Sequence, residues 1–99
     1  MSRLDRLPTQ LQQALAARRL LKVIAGLTNF DAASVQRISR AAGAGGADVI
    51  DVACDPALVR LAAEASALPI CVSAVDPELF PAAVAAGAAL VEIGNYDAF

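Results

Sequence analysis

The stretch Gly46-Ala47-Asp48-Val49-Ile50-Asp51-Val52-Ala53-Cys54-Asp55-Pro56 decides the fold. Asp48 to Ala53 is a short, nearly continuous apolar run rich in β-branched residues, which is how a strand covered on both faces reads. Asp55-Pro56 follows at once, an N-cap residue with proline at the first helical position. A strand that hands over to a helix so quickly is one βα unit of a parallel sheet.

Three further runs have the same character: Leu21 to Leu27, Pro69 to Ser73 and Leu90 to Gly94. The segments between them carry apolar residues at helical spacing. Val35, Ile38 and Ala41/Ala42 line one face of the first, with Gln36, Arg37 and Arg40 facing away and Gly43, Gly45 and Gly46 ending it. Leu58, Leu61, Ala62 and Ala65 mark the second. Asp76-Pro77 opens the third, with Leu79, Phe80, Ala83 and Val84 as its apolar face and Gly87 as its stop. Pro81 removes the amide that would bond the Pro77 carbonyl, so the first turn of that helix should be distorted. Upstream, Leu4, Leu7, Leu11 and Leu15 share a helical face. The spacing predicts a helix from Thr9, as N-cap, to Arg19, with Pro8 just outside and Arg18-Arg19 at the electrostatically favourable C-terminal end.

The order is therefore one helix and then βαβαβαβ. Gly46 to Ala53 echoes Gly87 to Gly94, two units apart, and each places an acid in mid-strand. Right-handed crossovers joining strands in the order 1-2-3-4 put every connecting helix on one face of the sheet. A flavodoxin-like or doubly wound sheet would need a reversal of strand order, and no G-x-G-x-x-G follows the first strand. The reading is an α/β chain with a four-stranded parallel sheet, the N-terminal half of a TIM (β/α)8 barrel. It forms one partial-barrel domain over 1–99, with the N-terminal helix in 1–20 and the βα units in 21–99.

Composition removes whole classes of function. The 99 residues hold 8 Lys plus Arg against 10 Asp plus Glu, no His and two Cys. A net charge of -2 with scattered cations lacks the basic stripe of a nucleic-acid binder. Without His there is no Ser-His or Cys-His pair and no Cys/His zinc spacing, so no metal ligands and no cofactor are assigned. Mean hydropathy is +0.56, yet Lys22, Asp48, Asp51, Asp76 and Glu92 interrupt every apolar run. No stretch reaches the roughly 20 residues of a membrane span. The N-terminus leads into Gln-rich sequence rather than an apolar run, so no secretory signal is expected and the expected location is the cytoplasm. Cys54 and Cys71 are expected unbridged, as small buried hydrophobes.

Lys22, Asp51 and Glu92 are charges in mid-strand, and none of them suits the apolar underside of packed helices. All three should point to the inner face. Lys22 sits near the start of its strand and reads as one member of a structural ion pair rather than a Schiff-base nucleophile. Asp51 and Glu92 are the candidate general acid and base. Residues just past the strand ends are positional candidates, because barrel active sites lie there. Asn29, Ser73 and Asn95 are assigned to substrate binding, although an amide at a βα turn can equally satisfy its own loop. Asp31, Asp55 and Asp76 precede helices and read as caps.

The blocks Leu21 to Asp31, Val49 to Pro56, Leu68 to Phe80 and Val91 to Asp97 together resemble the hypothetical chloroplast reading frame 23 family of cyanobacteria and algal plastids. That resemblance implies an aldolase-type TIM barrel of undefined activity, located in the plastid stroma where the gene is plastid-encoded. Family members are more than twice this length, so it also implies that residues 1–99 are an N-terminal half or a shortened version. Two functions fit these residues. One is an enzyme, a lyase or isomerase acting on a small metabolite through its carboxylates. The other is a non-catalytic regulatory or structural half-barrel. Its expected partner is a second copy or the missing C-terminal half, with no nucleic acid and no membrane.

Overall fold

A computed structural model describes residues 7–94. Along the chain lie α1 (Thr9–Ala16), β1 (Lys22–Gly26), α2 (Ala32–Ala44), β2 (Val49–Ala53), α3 (Pro56–Ser66), β3 (Ile70–Ala74), a 3-10 turn (Pro77–Leu79), α4 (Phe80–Ala85) and β4 (Leu90–Ile93). The four strands form one parallel sheet in the order β1-β2-β3-β4. This is the half-barrel arrangement that the one-directional crossovers require.

One face of the sheet carries the main core. Ile50, Val52, Ile70 and Val72 alternate outward along β2 and β3 and pack against Val35, Leu58, Val59, Ala62, Phe80 and Ala83 of α2, α3 and α4. Each fully buried aliphatic side chain there contributes about 1.5–3 kcal/mol. The opposite face carries a smaller cluster in which Leu11 of α1 rests on Val49, Cys71 and Leu90, near the strand N-terminal ends. The N-terminal helix is thus a floor under the inner face. Cys54 belongs to the helix-side core and Cys71 to the inner cluster, so the sheet itself separates the two free thiols. Titration of the denatured, unreduced protein should return two thiols per chain, and a result of none would contradict this arrangement.

The first two connecting helices begin on their predicted aspartates, and the third aspartate caps the 3-10 turn that precedes α4. Asp31 accepts from the Ala33 amide at 3.1 Å, Asp55 from Ala57 at 3.0 Å and Asp76 from Glu78 at 3.0 Å. Pro81 has the predicted effect, since the chain makes a 3-10 turn over Pro77–Leu79 before α4 starts at Phe80.

Several local expectations are corrected. Leu4 lies outside the described residues. α1 ends at Ala16 rather than Arg19, and Pro8, not Thr9, occupies the capping position. Arg18 takes a positive φ of 56° while its amide bonds the Leu15 carbonyl and that of Arg19 the Ala14 carbonyl. This is a Schellman stop with arginine where glycine is usual. Arg19 is thereby turned toward Asp48, 3.7 Å away, instead of facing the helix end. On α2 the buried positions are Val35, Ser39 and Ala42, and Ala41 is exposed. Residues 35, 39 and 42 follow the i, i+4, i+7 face more closely than the apolar choice did. Gly43 lies inside α2 rather than ending it. Leu79 and Val84 of the third connection are exposed, because the 3-10 turn rotates the face that α4 presents. Ser73 lies within β3 and not beyond its end. Among the described residues no helix is long and apolar enough to cross a membrane.

Candidate functional site

Side chains of successive residues alternate across a strand, so the register decides which polar groups meet. Ile24 pairs with Asp51, Asp51 with Cys71, and Ser73 with Glu92. Lys22, Asp51, Cys71, Ser73 and Glu92 therefore share the inner face, as was expected of the three charged residues.

Asp51 is 4% exposed, and Ser73 Oγ lies 2.8 Å from both of its carboxylate oxygens. The single hydroxyl proton is shared between them. Burial pushes the Asp51 carboxyl above its usual range, outweighing the Ser73 hydrogen bond and the Lys22 charge, which act the other way. Lys22 Nζ donates to Glu92 Oε2 at 2.6 Å, and that bond raises the ammonium's pKa. The Glu92 side chain is about half exposed. Two carboxylates thus sit in contrasting surroundings, one dehydrated and one wet and ion-paired, the arrangement by which enzymes separate acid from base.

Cys71 is the inner-face residue that sequence reading did not include. Burial, and then the Asp51 charge, pushes its thiol up to about 12, so it is inert as a nucleophile at neutral pH. Cys71 Sγ, an Asp51 oxygen and a Glu92 oxygen lie within 4.8 Å of one another, and these three could hold a metal ion. Lys22 already supplies positive charge to that group. The available signal was parity: Cys71 and Ser73 occupy alternate positions of one strand, so if one faces Asp51 so does the other. Beneath the cluster, Leu7, Leu11, Leu15 and Leu20 wall an apolar groove of about 300 Å³ that reaches Cys71 and Leu90.

The remaining assigned residues lie elsewhere. Asn29 sits in the β1–α2 loop, which Gly26 opens with a φ of +115°. Its amide nitrogen donates to the Ala25 carbonyl and to Ser34 Oγ, and its oxygen accepts from the Asp31 amide. Asn29 thus spends its hydrogen bonds on its own loop, apart from the cluster. Asn95 lies outside the described residues. The structure joins Asp51, Ser73, Glu92 and Lys22 into one group and leaves Asn29 at the strand ends.

The family described as "Protein of unknown function (DUF561)" matches residues 7–99. Among curated proteins, the chain is 50% identical over 84 residues to "Uncharacterized protein ycf23" of Cyanophora paradoxa, covering 84% of this chain and 35% of that one. It is 39% identical over 90 residues to the protein of the same name from Antithamnion sp., covering 91% and 32%. With the Cyanidium caldarium protein the identity is 41% over 83 residues, covering 84% and 33%. The chain spans about a third of the length of the curated relatives it matches. No solved structure gives a significant match.

Proposed function

We propose, from the premise that the chain belongs to the DUF561 family of proteins of unknown function, that its inner face is the acid–base part of a small-metabolite lyase or isomerase built on an aldolase-type barrel. The supporting observation is the pair of unlike carboxylates. Asp51 is dehydrated by burial and holds its proton above the usual carboxylate range. Glu92 stays in contact with water and with Lys22. In this reading Asp51 moves a proton to or from a carbon or oxygen next to a carbonyl, and Ser73 fixes its orientation. The Lys22 ammonium offsets negative charge that develops on the substrate. Asn29 and Asn95 stand at the substrate-binding positions by analogy with where barrel sites lie.

Proton exchange tests this without knowledge of the product. The protein is incubated in D2O with small aldoses, ketoses and hydroxy or keto acids, and deuterium entry next to the carbonyl is followed by NMR. The expected result is exchange on at least one of them, reduced by about 10²–10⁴-fold in Asp51→Asn. Exchange that survives this substitution unchanged would rule out Asp51 as the proton carrier.

A second reading is favoured by the mutual satisfaction of these groups. Ser73 bonds Asp51 and Lys22 bonds Glu92, as a structural network would require. A non-catalytic half-barrel would exchange no substrate in the panel, while Glu92→Gln would still lower stability.

A further inference from the structure

We infer that the concave face of the sheet is closed by a second copy of this chain, with β4 of each copy pairing in parallel with β1 of the other to form an eight-stranded barrel. The inference is independent of what chemistry the inner face performs.

Curvature is the first observation. Neighbouring strands lie about 4.8 Å apart, so β1 and β4 would be about 14 Å apart in a flat sheet. Lys22 on β1 nevertheless meets Glu92 on β4 at 2.6 Å. A side-chain pair that bridges the two outermost strands across the inner face fits a sheet that curls toward that face. Four parallel strands in sequential order are half the number that closes an eight-stranded barrel.

The second observation is what the curled sheet leaves bare. Among the described residues, β1 and β4 each have one neighbour, and their outer edges are open. Ile24 on the inner face of β1 is 61% exposed, and Ile93 on β4 is 63% exposed. Open edges next to exposed β-branched residues are templates for strand pairing. The inner face and both outer edges are thus open to a covering partner.

The third observation points to a second copy as that partner. Gly87 to Gly94, which contains β4, repeats the pattern of Gly46 to Ala53, which contains β2. β1 already pairs with β2, placing Ile24 opposite Asp51. A second copy offers the other edge of β1 a near repeat of that partner, with Glu92 in the place of Asp51. The strand order then runs 1-2-3-4-1-2-3-4, and a two-fold axis along the barrel makes the two junctions identical. Each junction brings the Glu92 strand of one copy beside the Lys22 strand of the other, so opposite charges meet at both. The α1 helices lie side by side beneath, where Leu15, 42% exposed, is available for contact between them.

Sedimentation equilibrium on the 99-residue chain at high micromolar concentration tests this. A particle of twice 10.1 kDa is expected, with little salt dependence because apolar burial drives its formation. Ile24→Lys should weaken it by about a hundredfold or more, since the charge enters both junctions. Hydrogen exchange on the unaltered chain gives a second readout: β1 and β4 amides should gain protection as concentration rises. A cooperatively folded monomer at high micromolar concentration would overturn the proposal. So would open-ended polymers, a dimer indifferent to Ile24→Lys, or edge amides whose protection ignores concentration. Dimerisation abolished on adding the remaining two-thirds of a ycf23 relative would show that the face prefers that segment to a second copy.

Discussion

Leu11→Ala is expected to lower the unfolding free energy by about 2–5 kcal/mol, the range for truncating a fully buried leucine. Leu11 is 0% exposed and joins α1 to Val49, Cys71 and Leu90 at the floor of the inner face. Its removal leaves a void beside Cys71 and gives water a route to Asp51. The consequence for pH dependence has a definite sign. The folded-state pKa of Asp51 is raised above 3.8, so between 3.8 and its folded value the native chain binds more protons than the unfolded one. Stability attributable to this group is therefore greatest below that window, falls as pH rises through it, and is lowest once Asp51 is fully ionised. With water admitted, the folded pKa should move back toward 3.8 and the decline should shrink. The Cys71 thiol, held up at about 12 by the same burial, should react with a thiol reagent faster in the variant than in the parent. Urea unfolding at a series of pH values provides the measurement. A loss under about 1 kcal/mol with an unchanged pH profile would mean that α1 does not seal the floor.

The sequence was legible wherever one local signal outweighed the rest. β-branched runs located all four strands, although only β2 and β3 are buried along their whole length and β1 and β4 are partly exposed. Asp31 and Asp55 named the caps of α2 and α3, and Asp76 that of the 3-10 turn before α4, because a side-chain oxygen two residues before an open amide has one favourable geometry. Strand order followed from crossover handedness, and the inner-face placement of Lys22, Asp51 and Glu92 from the cost of burying charge under helices. The illegible parts depended on register and on packing at a distance. That Asp51 stands opposite Cys71 while Glu92 stands opposite Ser73 is a property of hydrogen-bonded pairs between strands, which no single strand encodes. The end of α1 was misplaced because Arg18 accepts a left-handed conformation that arginine seldom takes, and only the reversal into β1 demands it. The role of Gly43 was misread for a similar reason: a glycine in a glycine-rich stretch looks like a stop, and its actual neighbour is more than twenty residues away.

Gly43→Ala isolates that last case, and the expected outcome runs against helix propensity. In an ordinary helix interior, replacing glycine with alanine gains about 1 kcal/mol. Gly43 lies in α2, but a Cβ built on it would stand 2.5 Å from the Ser66 carbonyl oxygen and 3.0 Å from the Ser66 Cα. Both are backbone atoms, so no rotamer change can relieve the overlap, and α2 and α3 must separate. Neither helix can shift freely: Val35 and Ala42 of α2 and Val59 and Ala62 of α3 are buried in the same core. Ser66 is constrained as well, since its hydroxyl donates to the Ala62 carbonyl at 2.7 Å and accepts from the Leu68 amide at 3.0 Å. Those bonds hold the turn through Ala67, at a φ of 57°, that leads into β3. Overpacking of this kind costs about 1–3 kcal/mol, enough to reverse the propensity gain, and the net change should be a loss measurable by urea unfolding. The strain should also reach the inner face, because β3 carries both Cys71 and the Ser73 that orients Asp51. A Gly43→Ala chain as stable as the parent, or more stable, would mean that α2 and α3 lie farther apart than their close contact at Ser66 requires.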